Sequence, residues 1–186
     1  MPRGNTIVSE DNRTVTVTTD GSKERLDVSV DEHIETISHL HAKVHEGKCF
    51  SVSDYDTLNK SIAWDLVFEV GSVMAHLLYE ATTSMGVIIE IYESPTYTGG
   101  TAKSSYNHNR SSILTPTMVV KDGVTVTADG TLIDVVSLSG TNQTGSSVAS
   151  NLEWILAQNT DYLMRITSQG NSNLISGRAI WYEEDV

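Results

Sequence analysis

Three histidines, His39, His41 and His45, stand in an H-x-H-x3-H arrangement. On a strand the first two point to one side, as metal ligands on β scaffolds do. A metal centre also needs further ligands held in geometry, and Glu46 is only adjacent in sequence. Polar packing at a surface or subunit boundary explains the cluster with fewer requirements, so no metal or other cofactor is expected. Cys49 follows closely, and a Cys–His pair would give an activated thiolate. Set between Lys48 and Phe50 without a supporting motif, the thiol reads instead as a small buried hydrophobe. As the only cysteine it can form neither an intrachain bridge nor a thiolate zinc cluster. Gly99-Gly100-Thr101-Ala102-Lys103-Ser104 places glycines ahead of Lys-Ser, but a phosphate loop needs glycine directly before the lysine and a helix after it. No G-x-S-x-G elbow occurs. Glu183, Glu184 and Asp185 would supply paired carboxylates, yet three acids at a chain end read as a solvated tail. The residue chemistry points away from an enzyme.

The elements that carry these residues read as strands. Apolar and polar residues alternate over most of the 186 positions. Thr14–Thr19, then Asp20-Gly21, then Leu26, Val28 and Val30 form a hairpin signal, because Asp-Gly accepts the positive φ of tight turns. Ile34, Ile37, Leu40 and Val44 fall at helical spacing, which predicts an irregular or short helical connection over 31–45. Strands are predicted at 49–56, 61–70, 74–81 and 87–93. In the last of these Val87, Ile89 and Ile91 face one side. Residues 95–116, with Gly99-Gly100 and two prolines, read as a long loop, and 139–150, rich in Ser, Gly, Thr and Asn, as a second soft segment. Strand signals return at 117–120, 124–127 and 132–138, punctuated by Asp122-Gly123 and Asp129-Gly130, and again at 152–156, 162–167 and 178–183. Trp64, Trp154 and Trp181 sit in strand-like windows and are expected to pack a core. The expected fold is all-β: an antiparallel β-sandwich, jelly-roll-like, over 46–186, with an N-terminal arm or hairpin and connection over 1–45.

Composition narrows the partners. Twenty-four acidic against 12 basic residues give a formal net charge of −12, which repels phosphate backbones and argues against nucleic-acid binding. Residues 1–13 hold no apolar stretch of signal-peptide length, and the longest apolar runs are too short to span a bilayer, so no membrane partner is expected.

Four segments taken together carry a family resemblance: His41–Lys48, Tyr106–Ser112, Glu153–Leu156 with Asn159–Tyr162, and Trp181–Glu183. In order and spacing they resemble small virion proteins of tailed phages and prophages, the head decoration or cement proteins. The resemblance spans roughly 40–183 and departs from the usual pattern at His108, where the family carries a second arginine. It implies a non-enzymatic structural protein, made in the host cytoplasm and often a homotrimer, that sits on the outer capsid surface and braces neighbouring major capsid subunits. His39, His41, His45, Tyr106, Asn107, Asn109 and Arg110 are then the expected subunit or capsid contacts. The alternative is a glycan- or receptor-binding head-fibre or tail module, which requires exposed aromatics near 92–106.

Overall fold

The computed structural model describes residues 39–140 and 153–184 in full, together with the backbone of 5–8, 14–17, 26–28, 34–36 and 146–149. The chain divides into two compact units, Met1–Ala42 and Lys43–Val186.

In the first unit β1 (Asn5–Val8) pairs antiparallel with β2 (Thr14–Val17), and β3 (Leu26–Val28) with β4 (Ile34–Thr36). This corrects the expected hairpin: the Thr14 strand pairs backwards along the chain with Asn5–Val8, not forwards with Leu26–Val28. Several short strands with the same alternation offer more than one partner, and pattern alone does not choose between them. Asp20-Gly21 lies outside the described residues. The helical spacing over 31–45 resolves into β4 followed by a short helix, α1 (His39–His45).

The second unit is an all-β sandwich of two antiparallel sheets. Its strands are β5 (Cys49–Leu58), β6 (Ala63–Glu69), β7 (Met74–Thr83), β8 (Gly86–Glu93), β9 (Thr96–Ala102), β10 (Tyr106–Asn107), β11 (Val119–Ala128), β12 (Thr131–Ser139), β13 (Ser146–Ala149), β14 (Trp154–Leu156), β15 (Asp161–Ser168) and β16 (Asn173–Glu184). One sheet runs β10-β5-β16-β7-β13, with β14 also on β7; the other runs β12-β8-β15-β6-β11-β9. The chain changes sheet between β5 and β6, β6 and β7, and β7 and β8, so strands consecutive in sequence face each other across the core.

Alternation makes that core. Phe50 and Val52 of β5, Leu77 and Tyr79 of β7, and Ile175 and Trp181 of β16 meet Trp64, Leu66 and Phe68 of β6, Ile89 and Ile91 of β8, and Met164 and Ile166 of β15. Each large side chain of this kind contributes about 1.5–3 kcal/mol by leaving water. Phe50 and Trp181 lie with ring centroids 5.9 Å apart. Val87, Ile89 and Ile91 all point inward, as their spacing predicts.

One expected loop segment and one expected strand break are both strand. Gly99-Gly100 lies within β9, and Asp122-Gly123 within an unbroken β11 that pairs β9 from Lys121↔Ala102 to Ala128↔Thr96. All three glycines have positive φ, +70°, +88° and +67°, so they bend a ribbon instead of reversing the chain. The expected loop at 95–116 therefore begins only after Ala102. Likewise 146–149, inside the expected soft segment, is strand β13 on β7.

The β9–β11 ribbon folds onto the outer face of its own sheet. Val67 and Leu163 point away from the core, pair directly with each other, and are nevertheless 0% exposed. Tyr97 of β9 reaches across to donate toward Glu69 (2.6 Å) and Asp161 (2.9 Å). Arg165 forks onto Asp65 (2.8 and 2.9 Å) and also holds Asp129 (2.8 Å) just beyond β11. This overlay lets Asp129-Gly130 carry the chain to β12 at the far end of the sheet. Gly130 passes so close to β8 that a Cβ would stand 2.2 Å from the Glu93 carbonyl oxygen.

Candidate interaction site

The segment after β9 is short of regular structure yet tied down along its length. Tyr106 and Asn107 add a two-residue strand to the β5 edge, opposite Ser51 and Phe50, and the His108 N–H donates to the Cys49 carbonyl at 2.9 Å. The Asn107 amide donates to the carbonyls of Gly47 (2.6 Å) and Leu114 (3.2 Å), while its oxygen accepts from the Asn109 N–H (2.9 Å). Asn109 donates to the His45 carbonyl (3.1 Å) and accepts from the Ser111 N–H (3.1 Å). Both asparagines thus replace missing strand hydrogen bonds with side-chain ones.

Their targets lie at the C-terminal end of α1, where Lys48 N–H donates to Lys43 C=O and Gly47 N–H to Val44 C=O, both at 3.0 Å. This is a Schellman end, with Gly47 at φ +72°. A Cβ at Gly47 would stand 2.3 Å from Ser112 Oγ, so glycine is required by both conformation and space.

The far side of the loop is pinned by Glu183, only 7% exposed. Its carboxylate accepts the N–H groups of Thr117 (2.8 Å) and Met118 (2.9 Å) and the Trp181 indole N–H (3.4 Å). The acidic end is therefore not a solvated tail over its described part: Glu183 is a buried anchor and Glu184 an ion-pair partner, while Asp185 lies outside the described residues. Position parity carried the signal, since Ala179, Trp181 and Glu183 share the inward face of β16.

Held this way, the loop displays Tyr106, 58% exposed with the Arg110 guanidinium 5.7 Å over its ring, and Ile113 and Leu114, 94% and 48% exposed. The structure thus brings His45, Tyr106, Asn107, Asn109 and Arg110 into one region. Asn107 and Asn109 are its internal fasteners, and Tyr106 and Arg110 belong to its exposed surface.

The three histidines are not side by side on a strand. They lie on α1, where residues two apart are about 200° apart around the axis, so His39 and His41 diverge while His41 and His45 share a side. Among the described residues no three His, Cys, Asp or Glu side chains are grouped to hold a metal ion.

A polar cluster that the sequence did not announce seals one end of the first sheet's outer face. His76 stacks on Tyr182, centroids 4.4 Å apart, and its Nδ1 meets Glu153, to which the Tyr182 hydroxyl donates at 2.6 Å. Lys43 reaches Glu184 at 2.8 Å, and His76 Nε2 lies 3.6 Å from the same carboxylate. Burial, then the Glu153 carboxylate, push the Tyr182 phenol well above its ordinary range. Cys49, beside Tyr182 in the register, is 1% exposed, and burial raises its thiol to about 11, which makes it a packing residue and a poor nucleophile.

A cleft of about 570 Å³ separates β5 from the β9–β11 ribbon. Lys103 bridges its walls, paired with Asp54 and, at 2.9 Å, with Asp122. That hydrogen bond holds the Asp54 carboxyl below the usual range, and the two carboxylates raise Lys103 against the opposing effect of burial. Asp122 also accepts the Trp64 indole N–H at 3.2 Å, which ties the cleft floor to the core. Tyr106 lines the open side. Among the described residues no helix is long and apolar enough to cross a membrane. No family model, curated protein or solved structure matches this chain.

Proposed function

We propose that the chain is a non-enzymatic virion structural protein that attaches to the outer surface of a tailed-phage capsid as a homotrimer and stabilises the head by bridging major capsid subunits. The observation that carries this reading is the anchored loop. A segment with almost no regular structure is fixed by Asn107, Asn109, Gly47 and Glu183, and the fixing leaves Tyr106, Arg110, Ile113 and Leu114 turned to solvent. A surface ordered before binding loses little entropy on docking, so modest contacts suffice. Tyr and Arg are residue types that dominate interface energetics, and an exposed Ile beside them supplies apolar area for a partner's pocket. The resemblance of 106–112 to head decoration proteins supports the same region as the contact. The formal charge of −12 favours a basic partner surface and adds to encounter rate.

The experiment is attachment to purified heads that lack the protein, with wild type, Arg110→Ala and Ile113→Asp compared at matched folded concentration. Saturable occupancy with wild type and reduced occupancy with both variants is the expected result. Equal occupancy for all three would remove the loop from the interface, and no attachment by folded wild type would overturn the reading.

A further inference from the structure

We propose that the cleft between β5 and the β9–β11 ribbon is a binding site for a neutral carbohydrate of mono- to disaccharide size. It does not rest on the head-attachment reading, although Tyr106 borders both surfaces. The volume, about 570 Å³, lies in the range of small-molecule sites. Its lining combines an exposed tyrosine ring, two carboxylates, one ammonium and the hydroxyls of Ser53, Thr101 and Ser104. Adjacent sugar hydroxyls each donate and accept, so they match a wall that offers carboxylate acceptors, an N–H donor and hydroxyls together. The Arg110 guanidinium takes one face of the Tyr106 ring, and the other face is the flat apolar surface offered to the C–H face of a pyranose.

Charge selects against other ligands. Asp54 and Asp122 outnumber Lys103, and the whole chain is acidic, so phosphates and acidic sugars are repelled. The carboxylates already hold an internal ammonium, so a cationic ligand would have to displace Lys103, whereas a neutral polyol uses lone pairs and protons that the bridge leaves over. The site is also built on firm supports. Asp122 is tied to Trp64, and the neighbouring Gly100 packs so tightly that a Cβ would stand 2.6 Å from Val124.

Calorimetric titration of the full chain with maltose, lactose and cellobiose tests this, with oligolysine as the cationic comparison. Saturable binding of at least one disaccharide is expected. Tyr106→Ala should weaken it roughly tenfold through loss of the ring, and Tyr106→Phe should keep it. Ser104→Trp, at an exposed position, should fill the cleft and abolish binding with thermal unfolding unchanged. No saturation by any of the three sugars, saturation by oligolysine alone, or sugar binding that survives both Tyr106→Ala and Ser104→Trp would each overturn the proposal. Because head attachment is read in a separate assay with Ile113→Asp, a residue outside the cleft, failure of one reading is distinguishable from failure of the other.

Discussion

Two regions of this protein lie outside the central strands and are held in opposite ways. The β9–β11 ribbon is clasped to its sheet by charge: Arg165 on Asp65 and Asp129, Lys121 on Glu69 at 2.6 Å, and Tyr97 between Glu69 and Asp161. The 106–114 loop is held by neutral amides and backbone groups, through Asn107, Asn109 and Gly47, and a carboxylate, Glu183, enters only beyond it, at Thr117 and Met118. Val67 and Leu163, on the face that Tyr97 and Asp129 reach across, are 0% exposed, whereas the loop turns Ile113 outward. An ion-paired clasp over apolar side chains completes a core. An amide-pinned loop leaves apolar residues exposed in a fixed arrangement.

The largest effect should come from emptying the space beneath the ribbon. Leu163→Ala is expected to destabilise the second unit by about 2–5 kcal/mol in denaturant unfolding, because a fully covered side chain is replaced by a cavity. If Leu163→Ala behaved like a surface change, below about 0.5 kcal/mol, the ribbon would not be part of the core. Next, Glu183→Ala leaves the Thr117 and Met118 N–H groups without their acceptor, at a cost of about 1–3 kcal/mol. Hydrogen exchange should speed at 115–118 while the ribbon stays protected. Gly47→Ala forces a Cβ into Ser112 and a left-handed backbone, costing about 1–3 kcal/mol and loosening 106–114 first.

Acid should separate the regions more gently. The Glu69 carboxyl is held below its ordinary value because Lys121 and Tyr97 outweigh the raising effect of burial, and Asp54 is depressed by Lys103. A depressed folded-state pKa gives stability that is full above the unfolded value, about 4, and is lost as pH falls through the folded one. Lowering pH from about 5 toward 3 should therefore loosen the ribbon and the Lys103 bridge, and exchange at β9 should rise before exchange at 111–114, which holds no titratable side chain. The same order in reverse would contradict the division into charged and neutral fastening.

How far the sequence showed this follows from what each segment is made of. Val87, Ile89 and Ile91 announce an inward face because a strand's period is two and the core takes every second residue. Gly99-Gly100 and Asp122-Gly123 misled because a glycine that bends a long ribbon and a glycine that reverses a chain use the same positive φ. β9 itself, Thr-Tyr-Thr-Gly-Gly-Thr-Ala, has exposed positions throughout except Tyr97 and so lacks the apolar alternation that marks a strand. The Tyr106–Arg110 segment was legible as special by composition, but the partners of its asparagines, carbonyls at Gly47 and His45 some 60 residues away, depend on the fold. Glu183 was within reach: counting alternate residues from Trp181 places it inward, where three N–H groups meet it.

The central claim, that the amide-pinned loop is a preformed docking surface for a phage head, is met most directly by imaging heads lacking the protein after incubation with wild type or Ile113→Asp. Symmetric, saturable occupancy with wild type and its loss with a variant that unfolds at the same temperature is the predicted result. Folded wild type that leaves the heads bare, or a variant that decorates them equally well, would contradict it.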